Sequence, residues 1–156
     1  RLYSMLVALN GGIIILFTPA LTSLTGRVAP LRAMTAGGVL YAGSYAVFAA
    51  GRGMPAYLAA SALFTFGEIL CTLQIGTFLA DHTPASCRGR VNAFSNFVRG
   101  AGSSSSPAAT GALLPRLGYA GVWLLMAGVM GAGAAGMGLM RRADRAHGAA
   151  EKPCQK

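Results

Sequence analysis

Residues 56–110 read AYLAASALFTFGEILCTLQIGTFLADHTPASCRGRVNAFSNFVRGAGSSSSPAAT. An apolar run carries one acid, Glu68, near its middle. A short loop with Asp81, Arg88 and Arg90 follows. A second run carries one base, Arg99, and ends in a serine- and proline-bearing segment. Each run is long enough to span a bilayer, which takes about 20 residues. A charge held within lipid is costly, so charges in such segments are functional candidates by default.

Composition points the same way. The chain has 156 residues, of which 54% are hydrophobic and 11% charged, and its mean hydropathy is +0.54. A soluble domain carries about 25% charged residues, so a lipid bilayer is the expected surrounding. Twenty-two glycines suit helices that pack closely within a membrane. The net charge of +9 raises nucleic acid as a partner. The bases, however, fall in the gaps between apolar runs and form no basic stripe, so nucleic-acid binding is not expected. Cys71, Cys87 and Cys154 form no CxxC pair and read as free thiols, with no metal site. No G-x-x-x-x-G-K-[ST] phosphate loop is present, and no cofactor is implied. Gly102-Ser103-Ser104-Ser105 has the look of a nucleophile motif, but that chemistry needs a histidine within reach. His82 and His147 both lie outside the apolar runs, so an enzyme is not expected.

Five spans are predicted, at about 3–24, 33–50, 57–80, 91–114 and 119–140. The expected fold is therefore an all-α polytopic transmembrane helical bundle over 1–142, with 143–156 as a polar cytoplasmic tail. The chain opens on Arg1 and enters an apolar run at once, which reads as a fragment with its N-terminal part upstream. Lys and Arg are held on the cytoplasmic side. With the first span ending inside, nine bases lie inside (Arg27, Arg32, Arg88, Arg90, Arg141, Arg142, Arg145, Lys152, Lys156) and three outside (Arg1, Arg52, Arg116). The expected localisation is a cell membrane, multi-pass, with a cytoplasmic C-terminus.

Within the runs, polarity is organised by face. Asn10 is the strongly polar mid-run residue of the first span, and Pro19 predicts a kink there. The second and fifth spans carry small residues four apart, Gly38-Ala42-Ala46-Ala50 and Gly128-Ala132-Gly136, and read as supporting helices. In the third span Ser61, Thr65, Glu68, Thr72 and Gly76 share one face at 100° per residue. In the fourth, Asn92, Asn96, Arg99, Ser103, Ser106 and Thr110 do the same, with Phe94, Phe97, Val98, Ala101 and Ala108 opposite. A polar stripe must face protein or a water-filled cavity, so two striped helices predict a polar cavity.

These features resemble the C-terminal half of a major facilitator superfamily transporter of the drug-efflux type, helices eight to twelve of a twelve-helix fold. The resemblance is carried by Gly67-Glu68, by Ala80-Asp81, Pro84 and Arg88-Gly89-Arg90, and by Gly102-Ser-Ser-Ser-Ser-Pro107-Ala-Ala-Thr110-Gly111. The last is similar to the family's antiporter signature G-x-x-x-G-P-x-x-G-G, with Ser106 and Thr110 in place of two glycines. The resemblance implies a secondary transporter exporting small molecules by alternating access, coupled to protons. Its partners would be the substrate and the other transporter half, without which no transport is expected. A non-transporting membrane scaffold or partner-binding subunit is the alternative.

For single residues two readings stand side by side. Glu68 is a protonatable carboxylate or counter-ion for a cationic substrate, or else a structural acid between helices. Arg99 binds substrate or pairs with Glu68, or else snorkels to the cytoplasmic surface. The expected cavity residues are Asn10, Thr65, Thr72, Asn96, Arg99, Ser103 and Ser106. Asp81, Arg88 and Arg90 form a cytoplasmic latch or plain positive-inside anchoring. Pro107 bends the fourth span. His82 joins a proton relay or is a solvated loop residue.

Overall fold

In the computed structural model the backbone is described for residues 2–150 and side chains for 3–142. Four helices follow in order: α1 (Leu2–Thr25), α2 (Pro30–Ala50), α3 (Met54–His82) and α4 (Arg88–Ala150). Among the described residues there is no strand. The all-α expectation holds, and all four helices are long and apolar enough to cross a membrane. Pro19 stands inside α1. α4 continues to Ala150, into the segment read as a tail; Cys154, Lys152 and Lys156 lie outside the described residues.

The boundaries have local causes. Pro30 opens α2 and Pro55 sits in the first turn of α3, positions where a missing N–H costs nothing. Gly51 ends α2 in extended geometry and donates its N–H to the Val47 carbonyl at 2.7 Å. Gly53 then adopts φ 85°, a left-handed angle that glycine takes without a Cβ penalty. The resulting tight link makes α2 and α3 antiparallel neighbours. In α4 one residue departs from helical angles: Gly118, with φ 66° and ψ 175°. It divides α4 into arms 88–117 and 119–150. Pro107 keeps helical angles, so the helix is broken at Gly118, beyond Pro115, and at Pro107 it can bend but does not break.

Packing centres on α2, which lies against both α3 and α4, while α1 rests on α3. The contacts are backbone-close. A Cβ added at Gly37 would lie 2.7 Å from Cys71 Sγ and 2.9 Å from the Gly67 carbonyl oxygen, and one at Gly67 would lie 2.8 Å from the Gly37 oxygen. On the other side, a Cβ at Gly38 would lie 2.9 Å from the Ala134 Cβ. The small-residue seam of the 119–150 arm is thus Gly131, Ala134 and Gly138, which meet Ala42, Gly38 and Thr35. The expected seam Gly128-Ala132-Gly136 is wrong: Gly128 and Gly136 have nothing near them, and Ala132 is exposed. All three lie one helical face away from the contact.

The buried side chains are small or polar. Ser44 and Thr65 are wholly buried, and Ser61 and Gln74 nearly so. Large apolar side chains point outward instead, with Ile15 76%, Leu16 74% and Phe97 72% exposed. In water such a surface would be an aggregation liability. In lipid it is the expected arrangement, because packing rather than hydrophobic burial joins the helices there.

Candidate functional site

Glu68 sits halfway along α3 and Asn10 near the middle of α1. The α1–α3 contact brings them together. The Asn10 Nδ2 group donates to Thr65 Oγ1 at 2.9 Å and to Glu68 Oε2 at 3.2 Å. Thr65 donates its own proton to the Ser61 carbonyl at 2.8 Å, which leaves Oγ1 free to accept from Asn10. Both Asn10 amide protons are therefore placed. An ionised carboxylate has about four acceptor sites, so Glu68 keeps capacity beyond the Asn10 bond.

Glu68 and Asn10 open on a groove of about 440 Å³, lined also by Ser61, Tyr45, Phe48, Phe64 and Trp123. Its aromatic residues pack on one another. Trp123 stacks on Phe48 and Tyr45 with ring centroids 5.0 and 5.7 Å apart. Phe64 stands edge-on to Tyr41 at 4.9 Å and to Tyr45 at 5.9 Å. A second hollow, of about 270 Å³, shares Tyr45 and Trp123 and is lined also by Ser106, Thr110 and Leu114. Tyr45 and Trp123 thus line both the groove that holds Glu68 and the hollow that holds Ser106.

The predicted cavity residues divide accordingly. Asn10 and Thr65 cluster with Glu68, the expected charge-coupling residue. Ser106 borders the adjoining hollow. Thr72, Asn96, Arg99 and Ser103 are exposed, and the Ser103 hydroxyl donates to the Gly100 carbonyl at 3.0 Å. The phenylalanines of the 88–117 arm are exposed as well. Glu68 takes its hydrogen bond from Asn10, and Arg99 is exposed on the 88–117 arm.

At the other end of α3, Arg88 donates to the Ala80 carbonyl at 3.1 Å and to the Thr83 carbonyl at 3.3 Å. A guanidinium on the last carbonyls of a helix complements its dipole. Asp81 borders a hollow of about 310 Å³ with Gln74, Thr77 and Thr25, and Arg90 is exposed. His82 Nδ1 lies 3.0 Å from the Phe78 carbonyl, with its ring stacked on Phe78. That bond places a proton on Nδ1.

Two contributions escape a reading based on polar stripes. Tyr41, Tyr45 and Phe48 lie on one face of α2, and Trp123 opens the 119–150 arm. Both segments read as supporting helices, yet they supply the aromatic wall. The available signal is aromatic spacing at i, i+4 and i+7 on α2. Comparison with known protein families, curated proteins and solved structures gives no match for this chain.

Proposed function

We propose that the chain is part of a multi-pass secondary transporter of the cell membrane that takes small, amphipathic organic cations. The observation that carries this reading is the Glu68 carboxylate, hydrogen-bonded to Asn10 across two helices and opening on an aromatic-walled groove. Aromatic faces attract a cation, more strongly when water is excluded, and the carboxylate supplies the counter-charge. The resemblance to the C-terminal half of a major facilitator superfamily transporter extends the proposal to five spans of a twelve-helix fold. Rocking of one half against the other would then expose the site to each side in turn, with export in exchange for protons.

Length supports the five spans. The 63 residues of α4 would extend about 95 Å if straight, three times the ~30 Å hydrocarbon core. Turning at Gly118 gives two arms of spanning length. The cytoplasmic C-terminus rests on the excess of inside bases. Reporter fusions after Lys156 and within 52–55 are expected to sit on opposite sides of the membrane. Reporters on the same side would exclude an odd number of crossings between them and the orientation with it.

The rival reading is a membrane scaffold, in which the Asn10–Glu68 bond only clamps α1 to α3. Ligand binding separates the two. Trp123 is the one tryptophan of the chain and lines the groove. Tetraphenylphosphonium is expected to quench its fluorescence saturably, with binding weakened about tenfold in Glu68→Gln, equivalent to about 1.4 kcal/mol. Absence of saturable quenching, or equal binding by the Gln variant, would favour the scaffold.

A further inference from the structure

A larger groove, of about 540 Å³, runs between α2 and the 119–150 arm, away from the Glu68 cluster. Thr35, Val39 and Ala42 form one wall and Gly131, Ala135 and Gly138 the other. The small residues leave the channel, and the flanking Val39 and Leu139 are exposed, so it opens sideways on the apolar exterior. Arg141 and Arg142 close one end. From Gly131 to Arg142 the groove follows about 16 Å of helix, roughly half the ~30 Å hydrocarbon core. It is thus one leaflet long, with its charges at the headgroup end.

Among the described residues the charge lining the groove is of one sign, and both charged side chains are arginines. Arg141 also borders a hollow of about 360 Å³ with Arg32 and His82, so a third guanidinium stands beside the same end. The Arg141 Nε group is buried and has no hydrogen-bond partner among the described residues. A buried donor without an acceptor is unfavourable, and a phosphate oxygen is a strong acceptor for guanidinium.

We propose that this groove holds one acyl chain of an anionic phospholipid, with the phosphate on Arg141 and Arg142. A zwitterionic lipid offers the same chain and a phosphate, but its ammonium meets a cluster of cations. The site therefore selects net negative charge. A free anion would satisfy the arginines and leave the apolar channel empty, whereas the lipid fills both.

The test uses the full chain, purified in non-ionic detergent and mixed with equal amounts of dioleoylphosphatidylglycerol and dioleoylphosphatidylcholine. Native mass spectrometry counts retained lipid. One phosphatidylglycerol per chain is expected, preferred about tenfold over phosphatidylcholine. The Arg141→Gln/Arg142→Gln double variant should lose that preference. Ala135→Phe, which adds bulk at an exposed point of the wall, should lower retention of both lipids. Excess glycerol 3-phosphate should not displace the lipid. Equal retention of the two lipids by the unaltered chain overturns the proposal, even where the double variant does not fold. So do unchanged selectivity in the folded double variant, displacement by glycerol 3-phosphate, and a lipid-free dimer with the groove covered by a second copy.

Discussion

Gly67→Ala is expected to destabilise the bundle strongly, although alanine is the better helix former. In a helix interior the exchange alone favours alanine by about 0.5–1 kcal/mol. At Gly67 the new Cβ would stand 2.8 Å from the Gly37 oxygen and 3.2 Å from the Tyr41 nitrogen. Both are backbone atoms and cannot swing aside, so α2 and α3 must separate along the crossing. Overpacking typically costs about 1–3 kcal/mol, and here the separation also loosens the Tyr41–Phe64 contact next to the site. Gly37→Ala should behave alike, since its Cβ meets Cys71 Sγ and the Gly67 oxygen. Gly43→Ala and Gly76→Ala serve as controls on the same two helices, because nothing lies within 4 Å of either added Cβ. Detergent unfolding followed by Trp123 fluorescence should give opposite signs for the two pairs. Equal stability of Gly67→Ala and the unaltered chain would mean that α2 and α3 do not cross this closely.

That crossing illustrates what a sequence displays and what it hides. The helical segments were legible because apolar length and Gly/Pro punctuation are local properties. Gly51, Gly53 and Gly118 mark the turns, and the expected gaps lie over them. Glu68 stood out because one acid among apolar neighbours is conspicuous whatever the packing. Asn10 stood out for the same reason, but the pairing of the two did not. Asn10 lies 58 residues from Glu68, and only the angle between α1 and α3 decides that they meet. Register was equally hidden: Gly128-Ala132-Gly136 and Gly131-Ala134-Gly138 are both small-residue rows, and nothing local chooses between them. The aromatic wall was missed for a related reason. Tyr45, Phe48 and Trp123 suit a lipid-facing surface as well as a groove, so their residue types alone do not place them.

On the proposed transporter reading, Glu68→Gln is expected to insert and fold normally, yet to abolish pH-dependent export of an organic cation by the full-length protein. Glutamine has nearly the same shape, and its carbonyl can accept the Asn10 bond as Glu68 Oε2 does at 3.2 Å. The Asn10–Thr65 bond at 2.9 Å is untouched. Only the charge is removed. If that charge balances the substrate and exchanges with a proton, uptake into inverted membrane vesicles should fall about 100-fold, equivalent to about 2.7 kcal/mol in the barrier. Asn10→Leu reverses the pattern. It keeps the carboxylate but takes away its hydrogen-bond donor in an apolar setting, where an unmet polar group costs about 1–3 kcal/mol. Its first effect should be on stability, with residual transport still pH-dependent. The pair therefore separates charge from clamp. Unchanged pH-dependent transport by Glu68→Gln would make Glu68 a structural acid, and failure of that variant to accumulate in the membrane would make packing its principal role.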